Sequence, residues 1–150
     1  MTQDEKYMKE SLKQAKVAGL LDEVPVGCVI VKDNKIIAKG YNKRETLKDP
    51  SAHAEIVAIR KAAKKLGDWQ LVDCTIYVTI EPCIMCAGAI IQSRISKVVY
   101  GATDIRGGAF GTSINVLDAQ NINHHPQIIG GVLKDECTGI IKNYFKSKRK

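Results

Sequence analysis

Apolar and polar residues alternate along this chain with periods that change from segment to segment, and each change of period marks an element boundary. From about Asp4 to Gly19, the residues Tyr7, Met8, Leu12, Ala15 and Val17-Ala18 fall near helical spacing. This predicts an amphipathic helix with Gly19 available as its stop. Val26 to Val31 and Lys35 to Gly40 are β-branched runs separated by Lys32-Asp33-Asn34, which is hairpin punctuation, so two antiparallel strands are expected. After the turn Asp49-Pro50-Ser51, the alanine-rich stretch Ala52 to Leu66 sets Ile56, Val57, Ile59, Ala63 and Leu66 on one broad apolar face and ends at Gly67. It is the clearest helix in the chain.

The second half continues the alternation. A strand is expected over Cys74 to Ile80, a helix over Cys83 to Gln92 and another strand over Lys97 to Tyr100. Gly101 to Asn123 is glycine-rich and polar and reads as a long loop with one short helical piece; loops of that length usually serve function. Ile128-Ile129 supplies a last strand, and Leu133 to Arg149 returns to helical spacing with a basic end. No linker or repeat divides residues 1–150, so a single domain is expected. Its architecture is a three-layer α/β/α sandwich around a mixed sheet of about five strands.

Composition narrows the class. A chain of 150 residues with 45% apolar and 26% charged residues has the balance of a globular protein. The acidic, polar start Met1 to Lys6 lacks the apolar stretch of a secretory signal, and no apolar run approaches the roughly 20 residues that span a bilayer, which predicts a soluble cytoplasmic protein. Five cysteines in such a setting are thiols or metal ligands rather than a disulfide framework. Cys28, Cys74 and Cys137 sit in apolar surroundings and read as packing thiols. The net charge of +7 favours a polyanionic partner, and by itself is equally that of an ordinary soluble surface.

Two short segments carry candidate chemistry: His53-Ala54-Glu55, and Pro82-Cys83-Ile84-Met85-Cys86. Cysteines three apart on a first helical turn project to one side, where free backbone N–H groups and the helix dipole favour thiolates. With His53 the donor set is one imidazole and two thiolates, which suits tetrahedral Zn²⁺ and leaves a fourth position for water. Cys74 or His124 would be needed to close a purely structural site. Two residues along an ideal helix are roughly 200° apart, so Glu55 reads as a proton carrier rather than a fourth ligand. A lone Cys-x-x-Cys also occurs in redox proteins and zinc ribbons. Joined to His-x-Glu and to a proline before the first cysteine, it matches the zinc-deaminase signature.

Asp49-Pro50-Ser51-Ala52-His53-Ala54-Glu55-Ile56 and Glu81-Pro82-Cys83-Ile84-Met85-Cys86-Ala87-Gly88-Ala89 resemble the bacterial tRNA-specific adenosine deaminases, of the cytidine deaminase-like fold. The likeness runs nearly end to end and includes Glu23 to Gly27, Ser93-Arg94-Ile95, Val98 to Ala102 with Asp104, Asn123-His124 and Gly131-Val132-Leu133. It implies hydrolytic deamination of adenosine to inosine at the wobble position of a tRNA anticodon loop, by zinc-activated hydroxide attack on adenine C6 with Glu55 as proton shuttle. One Zn²⁺ per subunit, held by His53, Cys83 and Cys86, and a homodimer whose active site borrows residues from the partner are also implied. So are an Asn42 hydrogen bond to the flipped adenine, assisted by the Ala54 backbone N–H, and contacts from Asp104 and Asn123 to neighbouring nucleotides of the anticodon stem-loop. Read locally, Asn42 is a turn residue after a strand, and Asp104 a cap or loop turn. Tyr144 and Phe145 lie among cations, an arrangement for stacking a base or for packing in the core, while Lys146 to Lys150 suits phosphate. His125-Pro126 stands where relatives often have arginine. A free guanine or cytosine deaminase and a zinc-stabilised RNA-binding module are the rival readings.

Overall fold

A computed structural model describes residues 1–148. The chain runs α1 (Gln3–Leu20), β1 (Gly27–Lys32), β2 (Lys35–Tyr41), α2 (Arg44–Leu47), α3 (Ala54–Leu66), β3 (Thr75–Ile80), α4 (Ile84–Gln92), β4 (Lys97–Ala102), a 3-10 turn (Val116–Asp118), β5 (Gln127–Ile129) and α5 (Lys134–Lys148). The strands form one mixed sheet in the order β2-β1-β3-β4-β5. β1 is antiparallel to β2 and β3, whereas β3, β4 and β5 are mutually parallel. This is the expected α/β sandwich. The C-terminal helix was expected to reach Arg149, which with Lys150 lies outside the described residues.

Strands buried on both faces explain why the β-runs are almost wholly apolar rather than alternating. Cys28, Ile30, Ile76, Val78, Val98 and Tyr100 face one core, packed with Ala54, Ala58 and Ala62 of α3 and Ala87 and Ile90 of α4. Val29, Val31, Tyr77 and Val99 face a second core, closed by Tyr7, Met8 and Leu12 of α1 and Cys137 of α5. Cys28, Cys74 and Cys137 are fully buried packing thiols, as expected.

Local signals set most boundaries. Thr2 and Glu5 form a reciprocal capping box that starts α1 at Gln3. The helix runs past Gly19 to Leu20, and it is Asp22, with φ 61°, that takes the left-handed turn. Asp33 and Asn34, with φ 51° and 61°, make the two-residue turn of the β1–β2 hairpin. Gly67, with φ 67°, ends α3 as expected. α3 and α4 begin later than the sequence pattern suggests, at Ala54 and Ile84 rather than Ala52 and Cys83, and α2 was not foreseen.

β2 lies flat against α3 because Gly40 has no side chain. A β-carbon there would sit 2.5 Å from the Ala54 carbonyl oxygen and 2.9 Å from the Ala58 nitrogen, both helix backbone. Overpacking of this kind costs about 1–3 kcal/mol. Gly40→Ala is therefore expected to lower the urea midpoint by an equivalent amount without changing the m-value, and an unchanged midpoint would show that α3 can shift freely.

Candidate active site

Two helices start side by side at the carboxyl end of β3, and the residue before each is one of a group that could hold a metal ion. His53 is the N-cap of α3 and Cys83 the N-cap of α4; both have extended backbones and neither side chain caps its own helix. The expectation that both cysteines ride on the first helical turn is thus corrected: Cys83 precedes α4, and Cys86 is its third residue. His53 is likewise outside α3, so the ideal-helix angle between it and Glu55 does not apply. The extended His53 points its ring at the sulfurs while Glu55 enters from the first turn of the helix.

Cys83 Sγ and Cys86 Sγ each lie 3.6 Å from His53 Nδ1, and the three donor atoms fall within 4.8 Å of one another. A tetrahedral zinc ion with bonds of about 2.3 Å to sulfur and 2.0–2.1 Å to nitrogen has an S···N edge of about 3.6 Å, so the donors fit that ion. Among the described residues no fourth Cys, His or carboxylate joins this group. His124 instead donates its Nε2 hydrogen to the Ile95 carbonyl at 2.6 Å, and Cys74 is buried in the core. The site has the three-ligand form of a catalytic rather than a closed structural centre.

The two thiols share one negative charge readily and resist a second. A hydrogen bond from the Cys86 thiol, joined by His53, pulls Cys83 down to about 4. Donating to Cys83, together with burial, pushes Cys86 far above the ordinary thiol range. The hydrogen bond with Cys83 also raises His53. Glu55, 3% exposed, is pushed up to about 7, chiefly by burial.

His53, Glu55 and Cys83 floor a cleft of about 190 Å³ whose walls include Asn42, Arg44, Ala54, Glu81 and Asp104. Drug-sized pockets begin near 300 Å³, so the cleft takes one ring system and leaves the remainder of a larger ligand outside. Asn42 serves its local role as well: its Oδ1 accepts from the Arg44 N–H at 3.1 Å and its Nδ2 donates to the Val24 carbonyl at 3.3 Å. Ala54 opens α3, where backbone N–H groups have no intrahelical partner. Asp104 Oδ1 accepts from the N–H groups of Arg106 and Gly107, making it a loop turn at the cleft wall.

Three expected contacts are not brought to this cleft. Asn123 is exposed in the loop before β5, and Phe145 and Lys146 are exposed on α5. Tyr144 packs in neither core: its hydroxyl donates to Asp22 and its ring meets Phe145 edge-on at 5.4 Å. Sequence reasoning also missed two buried carboxylates. Glu23, 1% exposed, accepts from the N–H groups of Glu45 and Thr46 and from the Thr46 hydroxyl. Burial pushes its carboxyl upward, but these hydrogen bonds outweigh burial and hold it below the usual range. Glu81, also 1% exposed, accepts from Asp104, Phe110 and Thr112. The available signal was an acidic residue at the end of an apolar strand run, immediately before proline.

Residues 2–149 match the MafB19-like deaminase family. A tRNA-specific adenosine deaminase of Bacillus subtilis is 49% identical over 150 residues, which is 100% of this chain and 93% of the relative. The chain belongs to the tRNA-specific adenosine deaminase family. A solved structure from a study of A-to-I editing by tRNA:A34 deaminases at the wobble position of transfer RNA superposes on this deaminase with a TM-score of 0.88 at 40% identity, covering 90% of this chain and 98% of the other. A guanine deaminase from Bacillus subtilis shares the fold less fully, with a TM-score of 0.64 at 37% identity over 77% of this chain and 85% of its own. Among the described residues no helix is long and apolar enough to cross a membrane.

Metal loading of this deaminase must expel the proton that Cys86 retains. Zinc titration by calorimetry in buffers of differing ionisation enthalpy should report at least about one proton released per ion near pH 7; uptake of zinc with no proton release would contradict the shared charge.

Glu55 gives a second test, on metal-free protein. A carboxyl raised in the folded state binds more protons there than in the unfolded chain, so its contribution to stability is present below its unfolded value near 4.5 and is lost as pH rises through about 7. Glu55→Gln should therefore melt higher than wild type at pH 8 and alike at pH 4. Equal melting at both pH values would show that burial does not strain the carboxylate.

Proposed function

We propose that this protein hydrolyses adenosine to inosine at the wobble position of a tRNA anticodon loop, with one zinc ion per subunit held by His53, Cys83 and Cys86. The observation that carries the reading is the three-donor site, open to a cleft the size of one nucleobase beside a buried carboxylate, in a chain of this family. Zinc so held would supply a Lewis acid that lowers the pKa of a bound water to about 7.

The chain's own groups do the rest. Glu55 faces the cleft and takes a proton from the attacking water as its oxygen bonds to C6 of adenine. It passes that proton to the adjacent ring nitrogen, then carries the proton of the new C6 hydroxyl to the amino group, so that the C–N bond breaks, the C6 carbonyl forms, ammonia leaves and inosine remains. Asn42 keeps the second hydrogen of its amide for the base, and the Ala54 N–H supplies a further donor at the floor. An adenine in a loop is unpaired, so little energy is needed to splay it into the cleft.

Asp104 at the wall, Arg44 beside it, and Asn123, Phe145 and Lys146 beyond contact the anticodon stem-loop outside the target base. A homodimer accommodates this division, the exposed residues of one protomer serving the neighbouring site. Lys146 and the basic residues after it meet phosphate.

Incubating the zinc-loaded protein with total bacterial tRNA and mapping inosine by sequencing tests the reading. Inosine confined to wobble positions is expected, and ammonia release from free guanine or cytosine with none from tRNA would overturn it. Glu55→Gln is expected to keep zinc and tRNA binding while kcat falls about 10²–10⁴-fold. Undiminished turnover would remove Glu55 from the reaction.

A further inference from the structure

Glu81 is a carboxyl group in a place where charge is costly. It is 1% exposed and lies between the apolar strand β3 and Pro82. Burying a carboxylate costs several kcal/mol unless its oxygens are well supplied with donors. Its supply comes entirely from one irregular segment: the Asp104 N–H reaches Oε1 at 3.2 Å, and the N–H groups of Phe110 and Thr112 reach Oε2 at 3.0 and 3.2 Å. The loop from 104 to 112 is wrapped around this carboxylate as a helix end is wrapped around a capping side chain.

The fit is close. A β-carbon at Gly108 would collide with the Glu81 carboxylate and would lie 2.6 Å from the Asp104 carbonyl oxygen. The Ala109 N–H donates to the Pro82 carbonyl at 2.9 Å, so the loop also follows the backbone that leads into Cys83. Apart from Ala109 and Phe110 the loop has little apolar anchoring, and Ile105 is 82% exposed. Asp104, which lines the cleft, is thereby tied through its own N–H to a residue two positions before a metal donor.

We propose that Glu81 is a positioning residue for substrate, holding the Asp104 wall of the cleft at a set distance from the metal donors and so governing recognition rather than chemistry. The inference rests on the reading of the cleft as the place where the target base binds. In Glu81→Gln one oxygen becomes an NH₂ group. Because both oxygens accept, that group must face at least one backbone N–H whichever way the amide turns.

The test uses zinc-loaded full-length protein and an anticodon stem-loop RNA. For Glu81→Gln, zinc content is expected to stay at that of wild type, KM to rise about tenfold and kcat to stay within about threefold. Hydrogen exchange should show the amides of Asp104, Phe110 and Thr112 losing protection. Gly108→Ala presses on the loop from the other side and leaves the carboxylate intact; it should raise KM similarly, and the double variant should be little worse than either. If Glu81→Gln does not fold, Gly108→Ala alone decides by the same readouts. Unchanged protection, an unchanged KM, or a loss confined to kcat or zinc content would each overturn the proposal. A wild-type protein that makes no inosine would instead overturn the functional reading beneath it.

Discussion

The site depends on two helices beginning side by side at the end of one strand. A helix N-terminus presents N–H groups without intrahelical partners and the positive end of a dipole, and here two such ends converge on a cluster rich in thiol and carboxyl groups. His53 and Cys83 occupy matching places, each the last extended residue before its helix. The donors meet only because α3 lies close on the sheet, and that closeness is made of small residues: Gly40 below it, and Ala54, Ala58 and Ala62 on the helix face. A larger side chain in this layer would move His53 and Glu55 together, away from the cysteines carried by α4.

The chemical centre could be read from the sequence because its determinants are local. Cys83 and Cys86 are three apart, His53 and Glu55 two apart, and a proline or a turn precedes each pair. What the sequence pattern misjudged was the backbone state of the first member of each pair. Helical periodicity extends one or two residues too far when the N-cap is itself functional, since His and Cys lack the oxygen that marks a cap. The sheet was legible for a similar reason: buried strands are short apolar runs bounded by turn residues, and the Asp33-Asn34 hairpin has its own chemistry.

The walls of the cleft were less legible. Glu23 and Glu81 each satisfy backbone N–H groups more than twenty positions away in sequence, and no local period announces such a bond. α2 is a single turn held by Glu23 rather than by its own pattern. Of the outer residues, Asn123 came from family likeness and Phe145 and Lys146 from an aromatic pair set among cations, and within this chain all three stand apart from the cleft.

A cleft that admits one nucleobase and no more has a further consequence for how this protein can change over time. Its inner surface is built from backbone bonds, small core residues and metal donors, where almost any replacement disturbs folding or chemistry. The remainder of a larger substrate must lie across exposed side chains, which tolerate replacement. Reaction and the recognition of everything beyond the target base are therefore written in different parts of the molecule, one nearly frozen and the other free to drift. That separation lets a single fold keep its chemistry while its substrates diverge, as the likeness to both tRNA and guanine deaminases illustrates.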